Sequence, residues 1–422
     1  MNYNKVYKCR SCGGELMSVI SLGEQTSVGF TDKPENGVRV PLNLMLCLDC
    51  KLVQLQHTTN PNLLYNENYG YKSGINELMC SELADIVDSV VVESGDLVVD
   101  IGCNDGTLLS NYPRDVYRVG FDPSLGTNVT SGNNLATHCQ ENVSRDGAEY
   151  KIFRDYFSAE EFEAVFGKRK AKVITAIAMF YDLEDPNKFL RDVKKILADD
   201  GTFIIQQNYL VGMLKNVAFD NICHEHLEYY SLTSLERLLD HNGLMVVNTE
   251  ERDINGGSFR TYIKKSAVSC NCYFTPDRPS SSVEKMRQKE IGMELDSTIP
   301  YMVFASKIKN ISKALKMCIE DLVRVGKKVY VYGASTRGNS LLQVAGIDHN
   351  LIIGAAERNP VKYGKYTAGT KIKIVSEEEA RKKADYFLCL PWFLKESFIE
   401  REKEFLKKGK HLIFPLPNLE VI

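Results

Sequence analysis

Over most of its length the chain sets short apolar runs against amphipathic stretches. Across residues 61–265 strand-like and helix-like patterns alternate, as in a parallel α/β sheet. LVVDIGC (97–103), YRVGFDP (117–123), AKVITAIAMF (171–180) and GTFIIQQNYL (201–210) read as its strands. A second α/β pattern occupies residues 301–422. There a long amphipathic helix, roughly 300–325, leads into KVYVYGAS (328–335), NLIIGAAE (350–357), YFLCLPW (386–392) and KHLIFPLP (410–417). Residues 266–300 are polar and broken by TPDRPSSS, a linker that runs into a helix near VEKMRQKEIGMELDS. Residues 1–60 are different again, with paired cysteines and short apolar runs between Gly, Pro and Asn turns. The expected organisation is a small module at 1–60, an α/β domain at 61–265, the linker at 266–300, and a second α/β domain at 301–422. A chain of 422 residues has room for it, at roughly 100–200 residues per domain.

Charge and composition narrow the function. The 52 basic and 55 acidic residues leave a net charge of −3, so no basic excess advertises a nucleic-acid partner. No apolar run reaches the ~18 residues of a membrane span, and the N-terminus lacks the apolar core of a signal peptide. The expectation is a soluble cytoplasmic protein that engages neither membrane nor nucleic acid. The 12 cysteines fit a reducing compartment, because disulfide-stapled folds are short and secreted.

Four of those cysteines form Cys9-x2-Cys12 and Cys47-x2-Cys50, with 34 residues between the pairs. Each CxxC turn puts two thiolates on one side of a knuckle, and two knuckles close a tetrahedron around Zn2+. All four positions are protein ligands, so the expected role is structural: the metal holds together a segment too short to fold securely alone.

VVDIGCNDGTLL (98–109) joins an acidic-ended strand to a glycine turn and a helix start. Gly102 allows the sharp turn and a close ligand, Gly106 follows, and Asp122 ends the next strand, where a carboxylate accepts ribose hydroxyls. A dinucleotide site prefers GxGxxG, whereas Asn104 and Asp105 stand here. A carboxylate repels a pyrophosphate and welcomes a sulfonium or ammonium. Asp100, Gly102, Asn104, Asp105, Gly106, Asp122 and Pro123 are therefore the expected S-adenosylmethionine contacts.

FDNICHEHLEYYS (219–231) carries His224, Glu225 and His226 in a row. On an extended backbone the two histidines would share a face opposite Glu225. An HxH pair can ligate metal, but a third ligand would have to come from afar. Proton removal suits histidines in a methyl-transfer site better.

Together, CRSCGG, CLDC, YNENYGYKSG (65–74), VVDIGCNDGTLL, FDPS (121–124), CHEHLEYYS, INGGSFR (254–260) and VYGASTRGNSLLQ (331–343) resemble the bacterial sugar-nucleotide C-methyltransferases, in that family's order and over nearly the whole chain. The resemblance implies an N-terminal zinc-binding module, a central class I Rossmann-like methyltransferase domain and a C-terminal Rossmann-like α/β domain. It implies methylation of a ring carbon of a nucleotide-linked keto-sugar, as in deoxysugar biosynthesis, with no catalytic metal. His226 would be the base, with Glu225 orienting it or holding a sugar hydroxyl. Tyr69 or Tyr71 would lie over the donor or sugar, and Ser73 would touch the donor.

GASTRG (333–338) would offer Gly333 and Ser335 backbone N–H groups to a phosphate, with Arg337 adding charge. Glu357 would take a ribose hydroxyl, and Asn255 and Arg260 would contact pyrophosphate or sugar. Two positions depart from the family pattern. Cys223 replaces a tyrosine before His-Glu-His, and Met179 or Tyr181 stands where a histidine is expected. Tyr181 and His224 are the candidate replacements. The rival readings are an O- or N-methyltransferase of the same substrates, and a zinc-containing nucleic-acid-binding protein with a degenerate methyltransferase fold. The oligomeric state stays open, a monomer being compatible with the sequence.

Overall fold

The computed structural model describes residues 2–27, 29–35, 37–64, 73–123, 139–141, 151–266 and 279–422. Its largest sheet has the strand order Leu244–Arg252, Ser258–Lys265, Leu197–Asn208, Ala171–Ile177, Leu97–Ile101, Tyr117–Phe121, Lys151–Phe153, Cys139–Glu141. The five strands from Leu197–Asn208 to Lys151–Phe153 are parallel. Antiparallel strands flank them on both sides. Every residue of Leu97–Ile101 is buried, which is why this strand reads as a continuous apolar run ending in one acid. Strand order reverses between Leu97–Ile101 and Ala171–Ile177, and ligands of such sheets bind outside the carboxyl ends at that point.

The second α/β unit has the order Ile374–Ser376, Ala355–Glu357, Val329–Tyr332, Tyr386–Cys389, His411–Phe414, Glu420–Val421. It is parallel except for the last strand. Helix Ile299–Arg324 precedes it, burying Tyr301, Phe304, Ile308, Ser312, Leu315 and Ile319 at three- and four-residue spacing. The expected strand at 350–357 forms only from Ala355, because Asp348 accepts the Asn350 N–H at 2.8 Å and holds a turn.

Two segments behave differently from their sequence pattern. Helix Ser281–Ile291 is no free linker: Ser280 and Ser282 both donate to Asn248 Oδ1 at 2.7 Å, tying it to the main sheet. The N-terminal module also borrows a strand. Its sheet runs Glu228–Tyr229, Val53–Leu55, Arg39–Cys47, Leu16–Thr26, so a piece of the central domain completes it. Among the described residues no helix is long and apolar enough to cross a membrane.

Candidate active site

The four knuckle cysteines meet. Their sulfurs lie within 4.8 Å of one another, with Cys9–Cys50 and Cys12–Cys47 each at 3.5 Å. Zn–S bonds of about 2.3 Å in a tetrahedron place sulfurs about 3.8 Å apart, so these donors fit Zn2+ with little movement. Gly13 at φ +72° and Lys51 at φ +65° close the two knuckles. Cys50 is held down to about 5, chiefly by the Cys9 thiol hydrogen-bonded to it, so one thiolate is already favoured.

The donor crevice opens where strand order reverses. Gly102 adopts φ +76°, and a Cβ there would come within 2.9 Å of Met179 Cγ, so the turn requires glycine and packs on the neighbouring strand's exit. Asp122 Oδ2 accepts the Asn104 N–H at 2.7 Å, shaping the loop against the next strand. Asp100 is buried, accepts the Thr175 hydroxyl at 2.6 Å, and is pushed up to about 7 by burial. Asn104 and Asp105 face protein donors: Asn104 Oδ1 takes the Ser73 N–H and Asp105 Oδ2 the Gly74 N–H, each at 3.0 Å. Asp105 Oδ1 also accepts the Thr107 hydroxyl at 2.5 Å. These two residues thus stitch the preceding segment to the donor loop, bringing Ser73 to it. Gly106 sits at φ +77°, and Pro123 is exposed at the crevice rim. Tyr69 and Tyr71 lie outside the described residues. Glycine cradle and buried carboxylates fit the methyl donor, whose amino group and sulfonium are cationic.

The His-Glu-His stretch is a turn, and this corrects the extended-backbone expectation. The His226 N–H bonds the Cys223 carbonyl at 3.3 Å, which breaks the strict alternation of sides. Glu225 and His226 therefore converge with Cys223, ligand atoms of all three lying within 4.8 Å of one another. His224 points the other way, its Nε2–H donating to the Val40 carbonyl of the N-terminal module at 3.0 Å. His226 Nδ1–H donates to the Asn221 carbonyl at 2.9 Å, which leaves the Nε2 lone pair free to take a proton. The centroid of the Tyr181 ring lies 4.3 Å from that of the His226 ring. Burial, and then the Arg337 charge, hold His226 down at about 3, while burial pushes Glu225 up to about 7.

The C-terminal unit closes on this turn. Arg337, in helix Thr336–Ala345, donates Nη2–H and Nε–H to Asp220 Oδ2 at 2.6 and 3.1 Å, and Nη1–H to the Asn255 carbonyl at 3.0 Å. Much of its charge is spent on Asp220 rather than held open for a phosphate. Thr336 lies near enough to Glu225 to oppose, in part, the upward push of burial. Ser335 caps its own helix by accepting the Gly338 N–H at 3.1 Å, and Gly333 at φ +90° packs on Pro391. Glu357 accepts its own loop's N–H groups and lies 3.3 Å from Lys362 Nζ, which also donates to the Ala334 carbonyl at 2.9 Å.

Asn255 lines a narrow cleft with Tyr181, Gln206, Gln207, Asn208 and Ser258. Arg260 is fully buried and bound to Gln206, Glu82 and Asp85, at 2.7, 3.0 and 2.9 Å, as an internal ion cluster behind that cleft. Sequence reasoning missed Asn221, Gln207, Thr336 and Lys362. Gln207 is the most telling, since both polar atoms of its buried amide lack a partner. Nothing in its strand sequence distinguishes it from a core-facing residue.

A glycine cradle at the switch point of this sheet and a four-cysteine zinc module define an S-adenosylmethionine-dependent methyltransferase. Family models agree: a zinc binding domain matches residues 9–65, a methyltransferase domain 71–249 and a C-methyltransferase C-terminal domain 253–417. C-methyltransferase NovU of Streptomyces niveus is 31% identical over 427 residues, covering 98% of this chain and 96% of the relative. The chain belongs to this C-methyltransferase family. Among solved structures, mitomycin 7-O-methyltransferase MmcR is 14% identical, covering 46% of this chain and 55% of its own at TM-score 0.29. Plantazolicin methyltransferase BpumL is 12% identical, covering 44% and 82% at TM-score 0.32. Scores this low carry no argument about substrate.

Proposed function

We propose that the protein methylates a ring carbon next to the keto group of a nucleotide-linked deoxysugar, in the cytoplasm, through an enolate. The supporting observation is that His226, with Nδ1–H committed to Asn221, sits with Glu225 and Tyr181 where the C-terminal unit meets the donor domain. S-adenosylmethionine, when bound, supplies an electrophilic methyl group carried on a sulfonium. Asp100 and Asp122, at the ends of adjacent strands, favour that cationic ligand and its ribose. His226 Nε2 takes the proton from the ring carbon, and the C–H electron pair passes into the enolate. The unpartnered Gln207 amide, lining the same cleft, offers a donor to sugar or enolate oxygen. The carbon that lost its proton then bonds the methyl group. Glu225, beside His226 and Cys223 on the turn, keeps a sugar hydroxyl in register, and the lobe junction excludes water. Ser335, Lys362 and Glu357 frame the nucleotide end of the substrate.

The test uses deuterated water, S-adenosylhomocysteine and a panel of nucleoside-diphosphate keto-deoxysugars. One ring deuterium per sugar is expected, and loss of that exchange in His226→Asn with unchanged donor affinity. Methyl transfer to a hydroxyl with no ring exchange in any substrate would replace this reading with O-methylation.

A further inference from the structure

The turn that carries His226 holds a feature that proton transfer does not use. Cys223, Glu225 and His226 bring one sulfur, one carboxylate oxygen and one ring nitrogen within 4.8 Å of one another. Cys223 and His226 are buried, and Glu225 is half-buried, the most accessible of the three. The set is compact because the His226 N–H to Cys223 carbonyl bond folds the backbone back on itself. Its outer shell is also in place. His226 Nδ1–H is committed to the Asn221 carbonyl, whose residue in turn accepts Asn208 Nδ2–H at 2.9 Å through its side chain. A backbone carbonyl on the far ring nitrogen is the usual means of orienting a ligating histidine and fixing its tautomer.

We infer that Cys223, Glu225 and His226 form a second metal site, which captures a borderline-soft divalent ion of the Zn2+ class and in doing so blocks the base. Sulfur, nitrogen and oxygen together select such ions over Mg2+ or Ca2+, which take oxygen alone. Three protein ligands leave a fourth position for water or another small ligand. Binding needs the donors to close to roughly 3.5 Å spacing, which small rotations of Glu225 and Cys223 supply. The thiol gives up its proton to solvent as the metal–sulfur bond forms, and the His226 lone pair goes to the ion instead of a substrate proton. The knuckle zinc and this ion differ in kind. The first is enclosed by four thiolates and structural, and the second has an open face and is reversible.

The inhibitory half of this inference rests on His226 being the base, so binding and activity are read separately. Protein holding its knuckle zinc is titrated with Co2+, followed by calorimetry and by near-ultraviolet thiolate charge transfer. One further equivalent and a thiolate band are expected, both lost in Cys223→Ser and both kept in Cys318→Ser. Should Cys223→Ser fail to fold, Glu225→Gln is expected to weaken Co2+ binding in its place. In turnover assays Zn2+ is expected to raise the apparent KM for the keto-sugar about tenfold at nine times its dissociation constant, with no effect on Cys223→Ser. No binding beyond the knuckle, or an unchanged band in Cys223→Ser, overturns the site. A bound ion that leaves turnover untouched upholds the site and overturns His226 as base.

Discussion

At the scale of single residues the site works by burying charge where only a ligand can satisfy it. Asp100 shows this best. Burial is the largest cause of its raised value of about 7, the Thr175 hydroxyl opposes the rise, and the nearby Asp122 carboxylate adds to it. The folded value lies above the ordinary 3.8, so the folded state binds more protons than the unfolded one between those limits. Stability therefore falls as pH rises through that window and levels off above about 7. A cationic donor reverses the preference, since it favours the ionised carboxylate. Donor affinity is accordingly expected to climb as pH passes from 6 toward 8, by roughly threefold to tenfold, and to go flat in Asp100→Asn. Calorimetric titration at several pH values checks this, and a slope that survives the substitution assigns the effect elsewhere.

At the scale of elements, what the sequence reveals depends on how locally each element is determined. Strand Leu97–Ile101 with its Gly102 turn and the two CxxC knuckles were legible because their chemistry is written within a few consecutive positions. The turn at Cys223–His226 was not, since three adjacent polar residues carry no periodicity and only the packed lobes decide which way each points. Helix Ser281–Ile291 was legible as a helix at the end of the 266–300 linker but not in its attachment to the central domain, because its anchor is a long-range one. Glu290 is buried and accepts the Tyr209 hydroxyl at 2.8 Å. It also accepts the Leu232 and Thr233 N–H groups at 2.6 and 2.9 Å and the Thr233 hydroxyl at 2.7 Å, adding to the Ser231–Ser234 capping box of helix Leu232–His241. Glu290→Ala would strand four buried or half-buried donors, at a cost of ~2–4 kcal/mol in urea unfolding. Glu290→Gln, which keeps one acceptor oxygen, is expected to lose less. Equal losses in the two variants would reduce the effect to helix packing alone.

At the scale of the whole molecule the N-terminal module is a bracket between the two lobes, which its self-contained cysteine pattern did not reveal. On one side Asn187 Nδ2–H reaches the Ser11 carbonyl at 2.7 Å, Arg237 reaches the Asp49 carbonyl, and strand Glu228–Tyr229 joins the module's sheet. His224 fastens the Cys223–His226 turn to Val40 at 3.0 Å. On the other side Thr26 and Gln343 exchange hydrogen bonds of 2.7 and 3.3 Å, and Phe30–Thr31 pairs with Tyr366–Thr367 of the C-terminal unit. The knuckle zinc is thus remote from the chemistry in its coordination and coupled to it through the backbone. Chelating that zinc, or substituting Cys47→Ser, should free both sides of the bracket at once. Hydrogen exchange is expected to quicken at 221–229 and at 366–369, and turnover to fall ~10-fold or more while donor affinity stays within about twofold, because the glycine loop, Asp100 and Asp122 belong to the central domain rather than to the module. Faster exchange confined to the module, with turnover intact, would show that the lobes hold the Cys223–His226 turn without it.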